Sequence, residues 1–175
     1  LAPQAQFNIG QVHFAQRKYD EAKDAYQKTI DNFSESKSAE DAHFYLGWVY
    51  QRQEEYEKAV EQLQEAIKKY PDNENVPNSH VFIAQIYYKA MGEIDKAIET
   101  YKEIATNKSY SYDMRRAAQY WVGKLYESEK QDIKQAIVEY EKLLKDFPEL
   151  HIDPEHPSND IVETYIEELK HKVSE

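Results

Sequence analysis

A small residue returns at a nearly fixed interval along this chain. Gly10, Gly47, Ala84 and Gly123 are separated by 37, 37 and 39 residues. A second marker, Ala22, Ala59, Ala97 and Ala136, keeps step with spacings of 37, 38 and 39. Two independent markers in register mean that one supersecondary unit is repeated four times. Both surroundings have helical periodicity: Ala59, Leu63 and Ala66, for example, fall at i, i+4 and i+7. Each unit therefore reads as helix A, a turn and helix B. The small residue is expected where helix B crosses helix A, with the recurring Ala at the matching contact. The residue three positions after the small one (His13, then Tyr50, Tyr87 and Tyr126) is expected to fill the gap beside that crossing. A single unit cannot bury its apolar surface, so neighbours must stack.

The composition agrees with an all-α chain. Gly occurs 4 times and Pro 6 times, and Ala, Glu, Lys, Gln and Leu, all good helix formers, fill the long segments. The balance of 22 basic and 33 acidic residues gives a net charge of −11. A basic track for phosphates is missing, which argues against nucleic acid and against docking on an anionic membrane. No apolar run approaches the roughly 18 residues of a membrane span, so this segment is not expected to insert directly. The absence of cysteine excludes disulfides, thiolate metal sites and a thiol nucleophile. The chain opens Leu1-Ala2-Pro3-Gln4 without Met and reads as a processed or excised piece, with room for a targeting segment or lipid anchor upstream.

The second unit carries Leu46, Gly47, Tyr50, Ala59, Ala66 and Pro71. This pattern resembles the tetratricopeptide repeat (TPR) family, and the likeness covers about residues 3–148. The other units depart from it: His43 and His80 stand where Trp is usual, Thr29 replaces the late Ala, and Ala84 replaces Gly. The third and fourth units insert one residue in the A–B turn, at 89–92 and 128–131. The resemblance implies a right-handed α-solenoid of helix–turn–helix repeats in a single domain over 1–175. The repeats fall at about 3–36, 40–73, 77–111 and 116–148. The excess over 34 residues lies between repeats, as in 33–42 and 70–77. That linker pattern is similar to the repeats of bacterial envelope proteins, namely the lipoprotein of the β-barrel assembly machinery and the Tol–Pal accessory protein. It implies a periplasmic or outer-membrane-associated setting, with the cytoplasm as the alternative.

Residues 149–157 read as a loop containing Pro154 and Pro157. Ile161, Tyr165, Leu169 and Val173 then recur every four residues, with Val162 and Ile166 beside them and Glu163, Glu167, Lys170 and Lys172 opposite. This pattern makes an amphipathic helix over about 159–173, expected to cap the fourth repeat, with the first helix of a truncated fifth repeat as the alternative.

Nothing in the sequence sets up catalysis. His13, His43 and His80 occupy helix A packing positions, and His151-Ile152-Asp153-Pro154-Glu155-His156 reads as a polar loop without a third ligand group. The acidic residues alternate with Lys and Gln on solvated faces. No phosphate loop, nucleophile elbow or calcium loop occurs. No enzyme activity, cofactor or metal is expected.

By the family pattern helix A lines the concave groove. The positions implied to face it are Phe7, Gln11 and Phe14; Phe44, Trp48, Gln51 and Arg52; Gln85, Tyr88 and Lys89, with Val81; and Tyr120 and Lys124, with Glu127. Aromatic residues and Arg anchor interfaces, and Gln side chains can bond the backbone of a bound peptide or helix. Trp48 and Phe44, one turn apart, are expected to form an aromatic strip with Tyr88 and Tyr120. A clamp for a terminal carboxylate, built from Lys and Asn in this family, is not expected, because only Gln11, Gln85 and Lys124 stand near its places. The expected function is a protein-binding scaffold. The alternative is a non-catalytic accessory domain of a larger enzyme or secretion machine. A second copy of the chain is a further candidate partner.

Overall fold

The computed structural model describes residues 2–148 and 157–174. The helices are α1 (Pro3–Ala15), α2 (Tyr19–Asn32), α3 (Lys37–Arg52), α4 (Tyr56–Lys69), α5 (Val76–Gln85), α6 (Ile94–Thr106), α7 (Tyr112–Ser128), α8 (Ile133–Asp146) and α9 (Asn159–Ser174). Among the described residues there is no strand. The chain divides into two compact units, 1–91 and 92–175. The loop expected around Pro154, including the 151–156 histidine segment, lies outside the described residues.

Local chemistry sets the helix starts. Ser36 Oγ accepts from Ala39 N at 3.1 Å, Ser111 Oγ from Met114 N at 3.3 Å, and Asp132 Oδ1 from Gln135 N at 3.0 Å. Each satisfies one of the donors a helix N-terminus leaves open. Pro3 and Pro77 open α1 and α5 in the first turn, where the missing N–H costs nothing.

The A–B turns share one device. One residue in each adopts the left-handed conformation: Arg17 (φ 60°), Glu54 (φ 62°), Gly92 (φ 67°) and Gln131 (φ 55°). In the first two repeats the next N–H closes the turn, from Lys18 N to His13 O and from Glu55 N to Tyr50 O, both at 2.9 Å. The residue inserted in the third repeat is absorbed by a π-helical turn over Ile86–Met91. In the fourth, the closing bond spans one residue more, from Asp132 N to Tyr126 O at 2.9 Å. Three of the four left-handed positions carry a side chain, which strains them. Glu54→Gly is expected to raise stability by roughly 0.5–1 kcal/mol, the relief of that strain less the entropy glycine adds to the unfolded chain. A higher urea midpoint would show it, and a lower one would refute the strain.

The small residues do meet helix B. A Cβ on Gly10 would sit 2.5 Å from the Tyr26 ring, and one on Gly123 would sit 2.6 Å from the Tyr140 ring. On Gly47 it would sit 2.5 Å from Leu63 Cγ and 3.4 Å from Ala59 O. The residue that fills the crossing is thus the one a turn after the recurring Ala, which corrects the sequence expectation. Ala22, Ala59, Ala97 and Ala136 are themselves fully buried.

Each helix B also packs on the next helix A within its unit. In the first unit Ala22 and Tyr26 of α2 share a core with Ala42, Leu46 and Val49 of α3. In the second, Ala136, Tyr140 and Leu143 of α8 meet Val162, Ile166 and Leu169 of α9. The expected stripe on α9 is corrected here, because Ile161 is 59% exposed and Val173 is also exposed. A spacing of four drifts by about 40° per step on a helix of 3.6 residues per turn, so 161, 165, 169 and 173 cannot share one face. The start of α9 is fixed by Arg116, buried in α7, which donates from Nη2 to Asn159 Oδ1 (2.8 Å) and Pro157 O (2.7 Å). Asn159 Nδ2 donates in turn to Phe147 O at 3.0 Å.

A buried polar network joins α6, α7 and α8. Glu139 accepts from Gln119 Nε2 (2.9 Å), Lys102 Nζ (3.1 Å) and Gln135 Nε2 (3.1 Å). Burial alone would raise its carboxyl, but these donors and the Lys102 charge outweigh it and hold it below the usual value.

His43 stands half-buried 5.4 Å from the Tyr70 ring, with Lys69 Nζ 3.5 Å from its Nε2. Burial, and then the Lys69 charge, lower its basicity. The folded chain keeps this imidazole neutral while the unfolded chain protonates it near pH 6.5, so its contribution is lost as pH falls from there through the folded value. His43→Phe is therefore expected to shrink the drop in melting temperature between pH 7.5 and 5.5. An unchanged drop would assign it to other groups.

Candidate partner-binding surface

The expected groove residues separate into three groups by their place relative to the small residue of their helix. Phe7 and Phe44 stand three before it, and both are buried. Phe44 is 0% exposed, so it offers no ring to a groove. On a helix it lies about 60° from Gly47 and Trp48 about 100°, which leaves Phe44 turned toward the crossing. Tyr120 holds the same place in α7. It is half-buried, packing 5.9 Å from Tyr140 and against the α8–α9 core.

Gln11, Trp48, Gln85 and Lys124 stand one after the small residue, and all four are half-buried. In the first unit two of them come together around Tyr45. The Trp48 indole lies edge-on to that phenol ring, with centroids 4.4 Å apart. Gln11 Nε2 donates to the Tyr45 hydroxyl at 3.3 Å. Tyr45 itself rests on buried rings, 5.0 Å from Phe7 and 5.4 Å from Tyr26. Trp48 is thus held at the surface by an aromatic stack that reaches into the core.

The remaining positions lie at the C-terminal ends of the A helices. Phe14 packs on Tyr19 at 5.8 Å. Gln51 is half-buried, and its Oε1 has no donor among the described residues. Arg52 and Lys89 are exposed, and Tyr88 is half-buried.

The second unit builds a different surface around Glu127. Its carboxylate accepts from the hydroxyls of Tyr140 (3.1 Å) and Tyr165 and from Lys124 Nζ (3.3 Å). The Lys124 ammonium also lies 5.7 Å from the centre of the Tyr165 ring. Burial, reinforced by the Glu127 charge, raises both phenols well above their usual range, so they stay protonated donors.

Sequence reasoning missed Tyr45 and Tyr165. The signal was available, because an aromatic stands two before the small-residue position in Tyr45, Phe82, Trp121 and, in α9, Tyr165. Three of these rings pack on an aromatic ring of the helix B before them: Tyr45 tilted on Tyr26, Trp121 stacked on Tyr101 at 6.1 Å, and Tyr165 edge-on to Tyr140 at 5.7 Å.

Both surfaces suit recognition of aromatic, amide and cationic groups. Among the described residues no three His, Asp or Glu side chains group as metal ligands, and no helix is long and apolar enough to cross a membrane.

Models of the tetratricopeptide repeat match residues 2–74, 83–107 and 117–149. No curated protein matches the chain. Solved structures do. Nearly identical TPR-like repeats from Podosopora anserina share 18% identity over 98% of this chain and 92% of that one, with a TM-score of 0.61. A tetratricopeptide repeat protein from Parabacteroides merdae gives 15% identity over 97% and 60%, with a TM-score of 0.69. YrrB, described as a TPR protein with an unusual peptide-binding site, gives 24% over 85% and 70%, with a TM-score of 0.56. At these identities the likeness speaks to the fold.

Proposed function

Because the chain belongs to the tetratricopeptide-repeat family, whose members are in general non-catalytic protein–protein interaction scaffolds, we propose that it captures a partner peptide or helix on the surface carrying Gln11, Tyr45 and Trp48. The observation that carries this reading is the half-exposed Trp48 seated on the Tyr45–Tyr26–Phe7 stack. An indole fixed from below loses little freedom on binding and offers a large apolar face, as interface anchors do. Gln11, on the adjacent α1 and bonded to Tyr45, supplies an amide group for a peptide backbone. The second surface, with Tyr120, Lys124, Glu127 and Tyr165, offers hydroxyl, carboxylate and ammonium groups to polar partner side chains. A bacterial envelope setting belongs to the same proposal and rests on the linkers between repeats.

Trp48→Ala tests the anchor. The variant is expected to keep the helical circular dichroism of the parent and to lose about 2 kcal/mol or more of partner affinity, roughly a thirtyfold weakening. The measurement is titration of the partner isolated with the parent chain as bait. Undiminished affinity in a folded variant would place the contact elsewhere.

A further inference from the structure

Each later helix A turns one set of positions toward the helix B before it. In α3 they are Ala39, Ala42, Leu46 and Val49, all buried, and Ala42, Leu46 and Val49 pack with Ala22 and Tyr26 of α2. In α9 the same register places Val162, Ile166 and Leu169 on Ala136, Tyr140 and Leu143 of α8, again buried. Counting back 37 residues from α3 gives Ala2, just before α1, and Ala5, Ile9 and Val12 on it. The pattern of two small and two larger apolar residues is preserved, yet Ile9 is 36% exposed, Val12 is 55% exposed, and Ala2 is also exposed.

The charge pattern gives a second observation. Charged residues make up 31% of the chain, but no Asp, Glu, Lys or Arg occurs before Arg17. A helix face meant for water carries charge opposite its apolar stripe, and α1 has none. The far end of the chain is built the opposite way. In α9 the small-residue position holds Glu167, which is exposed and paired with Lys170 at 3.2 Å. So α9 presents charge where a further helix would cross, and α1 presents bare Ile and Val where a preceding helix would pack.

We propose that this outer seam of α1 is a docking surface for an amphipathic helix of the B type, supplied by the same polypeptide ahead of Leu1 and seated as α2 is on α3. Its chemistry is that of its counterparts in this chain: a small residue at the contact, then Tyr or Leu one turn later, as in Ala22–Tyr26 and Ala136–Tyr140. Covalent supply is favoured because the B-to-A connections among the first repeats are short, from Asn32 to Lys37 and from Lys69 to Val76. A helix so tethered reaches the seam at high effective concentration.

The test adds such a helix from the chain's own sequence. Val76 and Ala2 hold the same register position, so residues 56–74 placed directly ahead of Leu1 restore the native spacing. The extended chain is expected to melt higher, by about 2–4 °C for each kcal/mol of packing gained, with slower amide exchange through α1. Val12→Lys should leave the melting of the present chain unchanged and cancel the gain in the extended one. An extension that neither raises the midpoint nor responds to Val12→Lys overturns the proposal. Sedimentation of the present chain is the second arm, and a monomer is expected. A concentration-dependent dimer abolished by Val12→Lys would make a second copy the occupant and would equally overturn it. Capture through Trp48 is read separately, so failure of either reading leaves the other standing.

Discussion

Replacing Gly47 by leucine is expected to cost about 3 kcal/mol of stability, at the upper end of the usual penalty for overpacking a core. The cause is positional. A single added carbon would lie 2.5 Å from Leu63 Cγ and 2.6 Å from Leu63 Cδ2. Leu63 is fully buried and cannot swing into solvent. On its other side the new carbon meets the Ala59 carbonyl at 3.4 Å, so α3 and α4 must separate. Even Gly47→Ala should be felt, and Gly123→Ala should behave alike, because the Tyr140 ring stands 2.6 Å from its added carbon. Gly92→Ala is the control. Nothing lies within 4 Å of its added carbon, but its φ is +67°, so its cost is backbone strain alone, about 1 kcal/mol. Urea unfolding of the variants ranks them. A Gly47→Leu midpoint equal to that of the parent would mean that the crossing is not where the repeat register puts it.

The register was legible because a helix crossing tolerates only small residues, and Gly and Ala are conspicuous in a chain of bulky ones. The two markers located every A–B pair and the family. Other features left weaker traces. The left-handed residues closing the turns are Arg17, Glu54 and Gln131, which carry no composition signal; only Gly92 does. The insertion in the third repeat was visible as a count, but its relief as a π-helical turn was not. In α9 the every-fourth-residue pattern proved a poor guide, because Val162, Ile166 and Leu169 alternate steps of four and three and so stay on one face. The groove positions were read from the family pattern of helix A. That pattern distinguishes a residue facing the crossing from one facing outward by only about 40°, less than sequence alone resolves.

Phe44 and Trp48 stand on opposite sides of that small angle. Phe44→Ala is expected to destabilise the chain by about 3–5 kcal/mol, the usual cost of emptying a fully buried phenylalanine site. Its ring is 0% exposed and lies beside the α3–α4 crossing, which has no slack, since Leu63 already fills the space over Gly47. The vacated volume can collapse only if α3 shifts, and α3 is held by α2 through Ala42, Leu46 and Val49. Trp48→Ala removes a larger ring one turn further on but from the half-exposed side, and leaves Tyr45 on Tyr26 and Phe7. Its expected cost to folding is correspondingly the smaller of the two. The pair thus separates stability from recognition: thermal melting should fall sharply for Phe44→Ala and modestly for Trp48→Ala, while partner affinity per folded molecule should fall only for Trp48→Ala. Phe44→Leu, which keeps most of the volume, should recover most of the lost stability. A Phe44→Ala chain that melts with the parent but fails to bind would reverse the assignment, making Phe44 a contact and α3 rotated from the orientation described.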